Sequence, residues 1–89
     1  MDLHFPEAGS LKEKRALLRP LLDASRARYR VAIAETGYQD LHQRALIEVA
    51  AVASSARVVT EELDAVERLV WSQTGLEVAS TRRWWSDGE

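Results

Sequence analysis

The amino-acid sequence predicts a two-layer α+β sandwich, a four-stranded antiparallel sheet covered on one face by two helices. Three observations predict it. Four short segments read as strands and two longer ones carry a helical period, in the order strand, helix, strand, strand, helix, strand. A short polar link, Gly37-Tyr38-Gln39-Asp40, joins the two middle strands as a hairpin. Serine start signals precede both helical segments, Ser10 before the first and Ser54-Ser55 before the second.

Taken in order, Leu3 and Phe5 alternate with Asp2 and His4 until Pro6, so residues 2–5 form a short strand. Ser10 and Glu13 make a capping box: the Ser10 hydroxyl accepts from the Glu13 amide, and the Glu13 carboxylate accepts from the Ser10 amide. The helix behind it runs from about Leu11 to Arg28, with Leu11, Leu18, Leu22 and Tyr29 as its apolar stripe, Leu21 beside them and Ser25 among them. Pro20 falls on the solvent side, where it kinks the helix without breaking it. Residues 31–36 and 45–53 are the hairpin strands, the first rich in small and β-branched residues. The second helix carries Val59, Leu63, Val66 and Val70 on one face, with Glu61, Glu62, Asp64 and Glu67 on the others, and Gly75 ends it in a left-handed conformation. Residues 76–85 form the last strand and residues 86–89 a frayed tail. Right-handed crossovers interleave the two strand–helix–strand units most simply as a ferredoxin-like βαββαβ sheet with both helices on one face.

Eighty-nine residues make one domain, spanning 1–89. A hydrophobic content of 46% with a net charge of −2 excludes the disordered class. With no cysteine there is neither a disulfide framework nor a thiolate nucleophile or zinc ligand. The longest apolar stretch, residues 45–53, is interrupted by Glu48 and is too short to span a bilayer. The opening Met1-Asp2-Leu3-His4 lacks the basic start and apolar run of a signal peptide, so the expectation is a soluble cytoplasmic protein without membrane contact. Charge is uneven along the chain, +3 over residues 1–30 and −5 over residues 31–89.

Two motifs are specific. Ser10-Leu11-Lys12-Glu13-Lys14-Arg15 follows a strand ending in His4-Phe5-Pro6; further on, Val31-Ala32-Ile33-Ala34-Glu35 is followed by Gln39-Asp40-Leu41 and Gln43-Arg44-Ala45. Together they resemble the YlxP-like family, small bacterial proteins of unknown function, over nearly the whole chain. The resemblance implies a ferredoxin-like fold, in agreement with the pattern reading. It also implies a connection to RNA or the ribosome, because the family's genes often lie near those for translation and ribosome maturation, and it implies no defined activity. Two departures stand out: His42 occupies a position where tryptophan is frequent in the family, and relatives carry several more apolar residues before the position of Leu3. The first strand of a ferredoxin-like sheet is central, so a short one leaves its neighbours' backbone groups underpaired. A late start site, or a partner that completes the sheet, would account for it.

Three clusters are candidate sites. Lys12, Arg15, Arg19, Arg26 and Arg30 recur along one side of the first helix, with Lys14 and Arg28 across the leucine stripe on the other flank. Such a row can neutralise RNA phosphates, or it can be a solvated face with Asp23 at pairing distance from Arg19 and Arg26. Glu35, Gln39, Asp40, His42, Gln43 and Arg44 cluster about the hairpin link. They suit a protein-partner contact or a structural turn; a catalytic or metal-binding use would need His42 oriented by Asp40 or Glu35, or joined by His4. Trp71, Trp84 and Trp85 suit core or interface packing better than base stacking, with Trp84 and Trp85 on opposite faces of the last strand. No phosphate-binding glycine loop, nucleophile elbow or H-E-x-x-H motif occurs.

These readings lead to a non-catalytic accessory protein, without cofactor or metal, that contacts RNA or a ribosomal particle through the basic row. The alternative is a homodimer formed through the uncovered sheet face, where Leu46, Ala50 and Val52 lie beside Ala32 and Ala34 with Glu48 as the one charge. A small enzyme or metal-binding protein built on Glu35, Asp40 and His42 stands third.

Overall fold

The computed structural model describes residues 1–86. Its elements are β1 (Asp2–His4), α1 (Leu11–Arg28), β2 (Val31–Gly37), β3 (Arg44–Ala51), α2 (Ala56–Trp71) and β4 (Glu77–Ser80). The four strands form one antiparallel sheet in the order β2-β3-β1-β4, the ferredoxin-like arrangement, with both helices on one face. β1 is central and three residues long. Its ladder against β3 extends through Met1, which exchanges backbone hydrogen bonds with Ile47.

Period-two alternation decides which face of the sheet is covered. Leu3, Ile33, Ala45 and Ile47 are buried under the helices, while Ala32, Ala34 and Ala50 are exposed on the other side. Phe5, Ala8, Leu18, Leu21, Val66 and Val70 complete the core. Ser10 caps α1, accepting from the Glu13 amide at 3.1 Å, but the Glu13 carboxylate reaches past Ser10 to the Gly9 amide at 2.6 Å. Pro20 sits exposed in an unbroken helix. Ser55 caps α2.

Three sequence expectations are corrected. First, Leu18, Leu21 and Ser25 of the predicted apolar face are buried as expected, but the line they form is headed by Lys14, while Leu11, Leu22 and Tyr29 are only half-buried. The i, i+4, i+7, i+11 spacing was present in the sequence; a lysine at its head disguised it. Second, Gly75 does not end α2. Ser72 closes the helix by bonding back to Arg68 and Leu69, and Gly75, at φ +88°, turns the chain into β4. A Cβ there would come within 3.1 Å of Leu17 as well as being strained. Third, the last strand stops at Ser80. Its only strand partner among the described residues is β1, whose pairing ends at Asp2 opposite Ser80. Arg83 then draws the following segment onto α2, bonding Asp64 at 2.7 Å and Glu67 at 2.9 Å. The tail expected over residues 86–89 lies, apart from Ser86, outside the described residues.

Two ion pairs hold elements together. Lys14 is fully buried, with its Nζ 2.8 Å from Glu35 Oε2, 3.0 Å from the Tyr38 carbonyl, 3.1 Å from that of Arg44 and 3.5 Å from that of Gln39. Glu35 is two residues from Ile33 and so faces the helix layer, where a carboxylate without a donor would be costly. The ammonium thus satisfies Glu35 and, with the same group, fixes the carbonyls of the hairpin link. On the opposite face, Arg44 binds Asp2 through two nitrogens, at 3.1 and 2.7 Å, tying β1 to β3.

Lys14→Met keeps the side-chain length and removes the charge. Stability should fall by about 2–4 kcal/mol, because Glu35 and the link carbonyls lose a buried donor. Thermal unfolding followed by circular dichroism should show a midpoint lower by roughly 10–20 °C; an unchanged midpoint would mean that apolar packing alone holds α1 to the hairpin.

Asp2 supplies a second prediction. The hydrogen bonds from Arg44 hold its carboxyl below the ordinary carboxylate range. A carboxyl lowered by folding stabilises the native state above its unfolded pKa, and that contribution is lost as pH falls through the folded value. The stability gap between wild type and Asp2→Asn, measured by urea unfolding, should be full at neutral pH and should close progressively from about pH 4 downward.

Candidate functional site

The row of cations expected on α1 divides into three. Lys12, Arg15 and Arg19 share one flank, three and four residues apart, all exposed and with no hydrogen bond or ion pair among the described residues. Arg26 lies on the same flank but is engaged: its Nη2 donates to the Ile33 carbonyl of β2 at 2.8 Å, and its Nη1 is 3.4 Å from Asp23. Asp23 therefore pairs with Arg26 and not with Arg19. Arg30 follows the helix end, where its amide donates to Glu62 Oε2 at 3.3 Å, so an acidic side chain flanks it. Lys14, placed by its sequence position on the opposite flank, is buried and unavailable to any ligand.

The hairpin cluster also separates. The Glu35 carboxylate is bound to Lys14, and Gln39 Nε2 donates back to the Glu35 carbonyl at 2.9 Å. Gln43 reaches the Pro6 carbonyl at 3.4 Å, and the Arg44 guanidinium lies 4.0 Å above the Tyr38 ring. Tyr38 has φ +57°, a left-handed conformation held by its carbonyl, which accepts from Lys14 and from the Leu41 amide at 3.0 Å. Five of the link's polar groups thus shape the turn, and Asp40, Leu41 and His42 are presented outward from it. These three line a shallow open groove with His4, Pro6 and Glu77, contributed by the ends of β1 and β4. The sequence reading singled out His4 only as a conceivable metal ligand and missed Glu77, because the sheet order alone brings them to the link. Glu35 does not line this groove, so the Glu35–Asp40–His42 convergence that acid–base chemistry would need is not assembled. Among the described residues, no three acidic or histidine side chains are grouped as a metal site.

All three tryptophans are exposed, Trp71 by 64%, Trp84 by 74% and Trp85 by 57%. Of the expected core or interface packing, the core half is therefore corrected, and so is the placing of Trp84 and Trp85 on opposite faces of a strand: both lie beyond the end of β4, in the segment that Arg83 anchors to α2. Trp84 borders a groove of about 370 Å3 between β3 and that segment, floored by Leu63 and Val66 of α2. The uncovered sheet face is more polar than its strand sequences suggest. Beside Ala32, Ala34, Ala50 and the half-buried Leu46 it carries His4, Glu48 and the Asp2–Arg44 pair.

No helix among the described residues is long and apolar enough to cross a membrane. The chain is 42% identical over 79 residues to the uncharacterized protein YlxP of Bacillus subtilis (strain 168), an alignment covering 89% of this chain and 86% of that protein. The family model described as a protein of unknown function, DUF503, matches residues 1–83. The two motifs joined through Lys14 are those on which the YlxP-like resemblance rests, and the chain belongs to the DUF503 family.

Proposed function

We propose that this protein is a non-catalytic accessory factor that contacts RNA, free or within a ribosomal particle, through the exposed flank of α1. One observation carries the reading: Lys12, Arg15 and Arg19 form a row of cations with no internal acidic partner, on a protein that is acidic overall. Five of the other nine cations, Lys14, Arg26, Arg44, Arg57 and Arg83, pair with a carboxylate, while Arg28, Arg30, Arg68 and Arg82 form no ion pair among the described residues. A row left without counter-charges attracts a polyanion over a distance of about 10 Å at ordinary ionic strength. The translation-linked setting implied by the family resemblance points to the same class of partner.

A second reading, self-association through the uncovered sheet face, is favoured by the exposed Ala32, Ala34 and Ala50 in adjacent register on β2 and β3. A strictly monomeric mass by light scattering at high micromolar concentration would remove it.

The RNA reading is tested by salt dependence. Three cations on single-stranded phosphates predict a slope of log affinity against log salt of about −2, and four predict about −3. Lys12→Glu, Arg15→Glu and Arg19→Glu together should abolish binding to unrelated sequences alike, since phosphate contacts position the protein without reading bases. The fold should survive, because none of the three touches the core. Binding of RNA or ribosomal particles that persists unchanged in the triple variant would reduce the row to a solvated face.

A further inference from the structure

We infer that Arg26 and Gln39 are edge caps: they keep the free edge of β2 from pairing with the β2 of a second copy of this chain. The argument begins with register. Met1 and Ile47 exchange both backbone bonds, so the odd-numbered residues of β3 point their backbone groups toward β1, and Leu46, Glu48 and Ala50 point theirs toward β2. Ala32 and Ala34, opposite Ala50 and Glu48, therefore bond inward. Val31, Ile33 and Glu35 direct theirs outward, at the end of a sheet ordered β2-β3-β1-β4.

An edge strand of seven residues is long enough to template another strand, and its outward carbonyls are the acceptors that a second strand would use. Two of the three are already occupied by side chains. Arg26 Nη2, reaching across from α1, donates to the Ile33 carbonyl at 2.8 Å. Gln39 Nε2, folding back from the hairpin link, donates to the Glu35 carbonyl at 2.9 Å. The two caps come from different elements and converge on consecutive outward carbonyls of one strand. A guanidinium beside the edge also sets like charge against like charge if two copies meet there in twofold symmetry. This assigns Arg26 a different task from Lys12, Arg15 and Arg19, although all four share a helix flank.

The test is the Arg26→Ala/Gln39→Ala double variant, compared with wild type and with Arg15→Ala/Arg19→Ala, which removes two charges from the same helix without touching the edge. Light scattering should show the mass of the double variant rising toward that of two chains from low to high micromolar concentration. Over the same range, hydrogen exchange at the Val31, Ile33 and Glu35 amides should slow about fivefold or more. Wild type and the charge control should show neither change at those amides. The inference is overturned if the double variant stays folded and monomeric by circular dichroism and light scattering. It is equally overturned if association occurs without protection of those three amides, or if the charge control associates to the same extent. Gln39→Ala alone, at an exposed position, should show a smaller concentration-dependent protection of the same three amides, and its absence would count against the assignment.

Discussion

The Lys14 ammonium is the interaction on which much of this architecture depends. It sits between α1 and the β2–β3 hairpin, in a cage of one carboxylate oxygen and three backbone carbonyls drawn from Glu35, Tyr38, Gln39 and Arg44. Three donors on a flexible stem suit it to acceptors converging from several directions, where a planar guanidinium would not fit. Remove it and two costs appear together: a carboxylate facing the helix layer loses its counter-charge, and a turn with a left-handed tyrosine loses the donor that holds its carbonyls. This is why motifs more than twenty residues apart belong to one structural unit. The helix start supplies the lysine; the strand and link supply its cage.

Tertiary structure turns four cations of this chain into fasteners. Lys14 joins helix to hairpin, Arg26 seals the edge of β2, Arg44 bridges β1 and β3 while covering Tyr38, and Arg83 binds the segment after β4 to α2. Each uses several donors at once, which is what distinguishes a fastening guanidinium or ammonium from a surface ion pair of little consequence. Lys12, Arg15 and Arg19 have no such task among the described residues. Their availability to a polyanion thus follows from what the other cations are doing, as well as from their own spacing.

The sheet is asymmetric. One face is closed by the helices around Leu3, Ile33, Ala45 and Ile47, and the other presents alanines interleaved with His4, Glu48 and the Asp2–Arg44 pair. Its edge at β2 is capped by side chains, and its opposite edge, β4, is only four residues long. Short or capped edges are two of the ways in which sheets avoid indiscriminate pairing. The hairpin link meanwhile commits most of its polar groups to its own shape, leaving the side chains of Asp40, Leu41 and His42 exposed on the turn.

Element order, helix starts, strand faces and sheet topology were legible in the sequence because each depends on neighbours along the chain. Capping serines, period-two alternation and helical spacing are local, and the handedness of crossovers restricts how the units assemble. The candidate site was legible only as a composition of charges. That Lys12, Arg15 and Arg19 share a flank follows from helical spacing, but that Arg26 is occupied depends on a carbonyl of another strand, and that Lys14 is buried depends on a cage 21 to 30 residues away. Gly75 reads as a helix end in sequence, and only the passage of its turn over Leu17 explains its place. The last strand reads as ten residues and ends after four, because a strand persists only where another is beside it and β1 offers no more. The sequence by itself determined the elements and their order. Tertiary structure decided which polar groups meet, since hydrogen-bond partners distant in the chain leave no periodic trace in it.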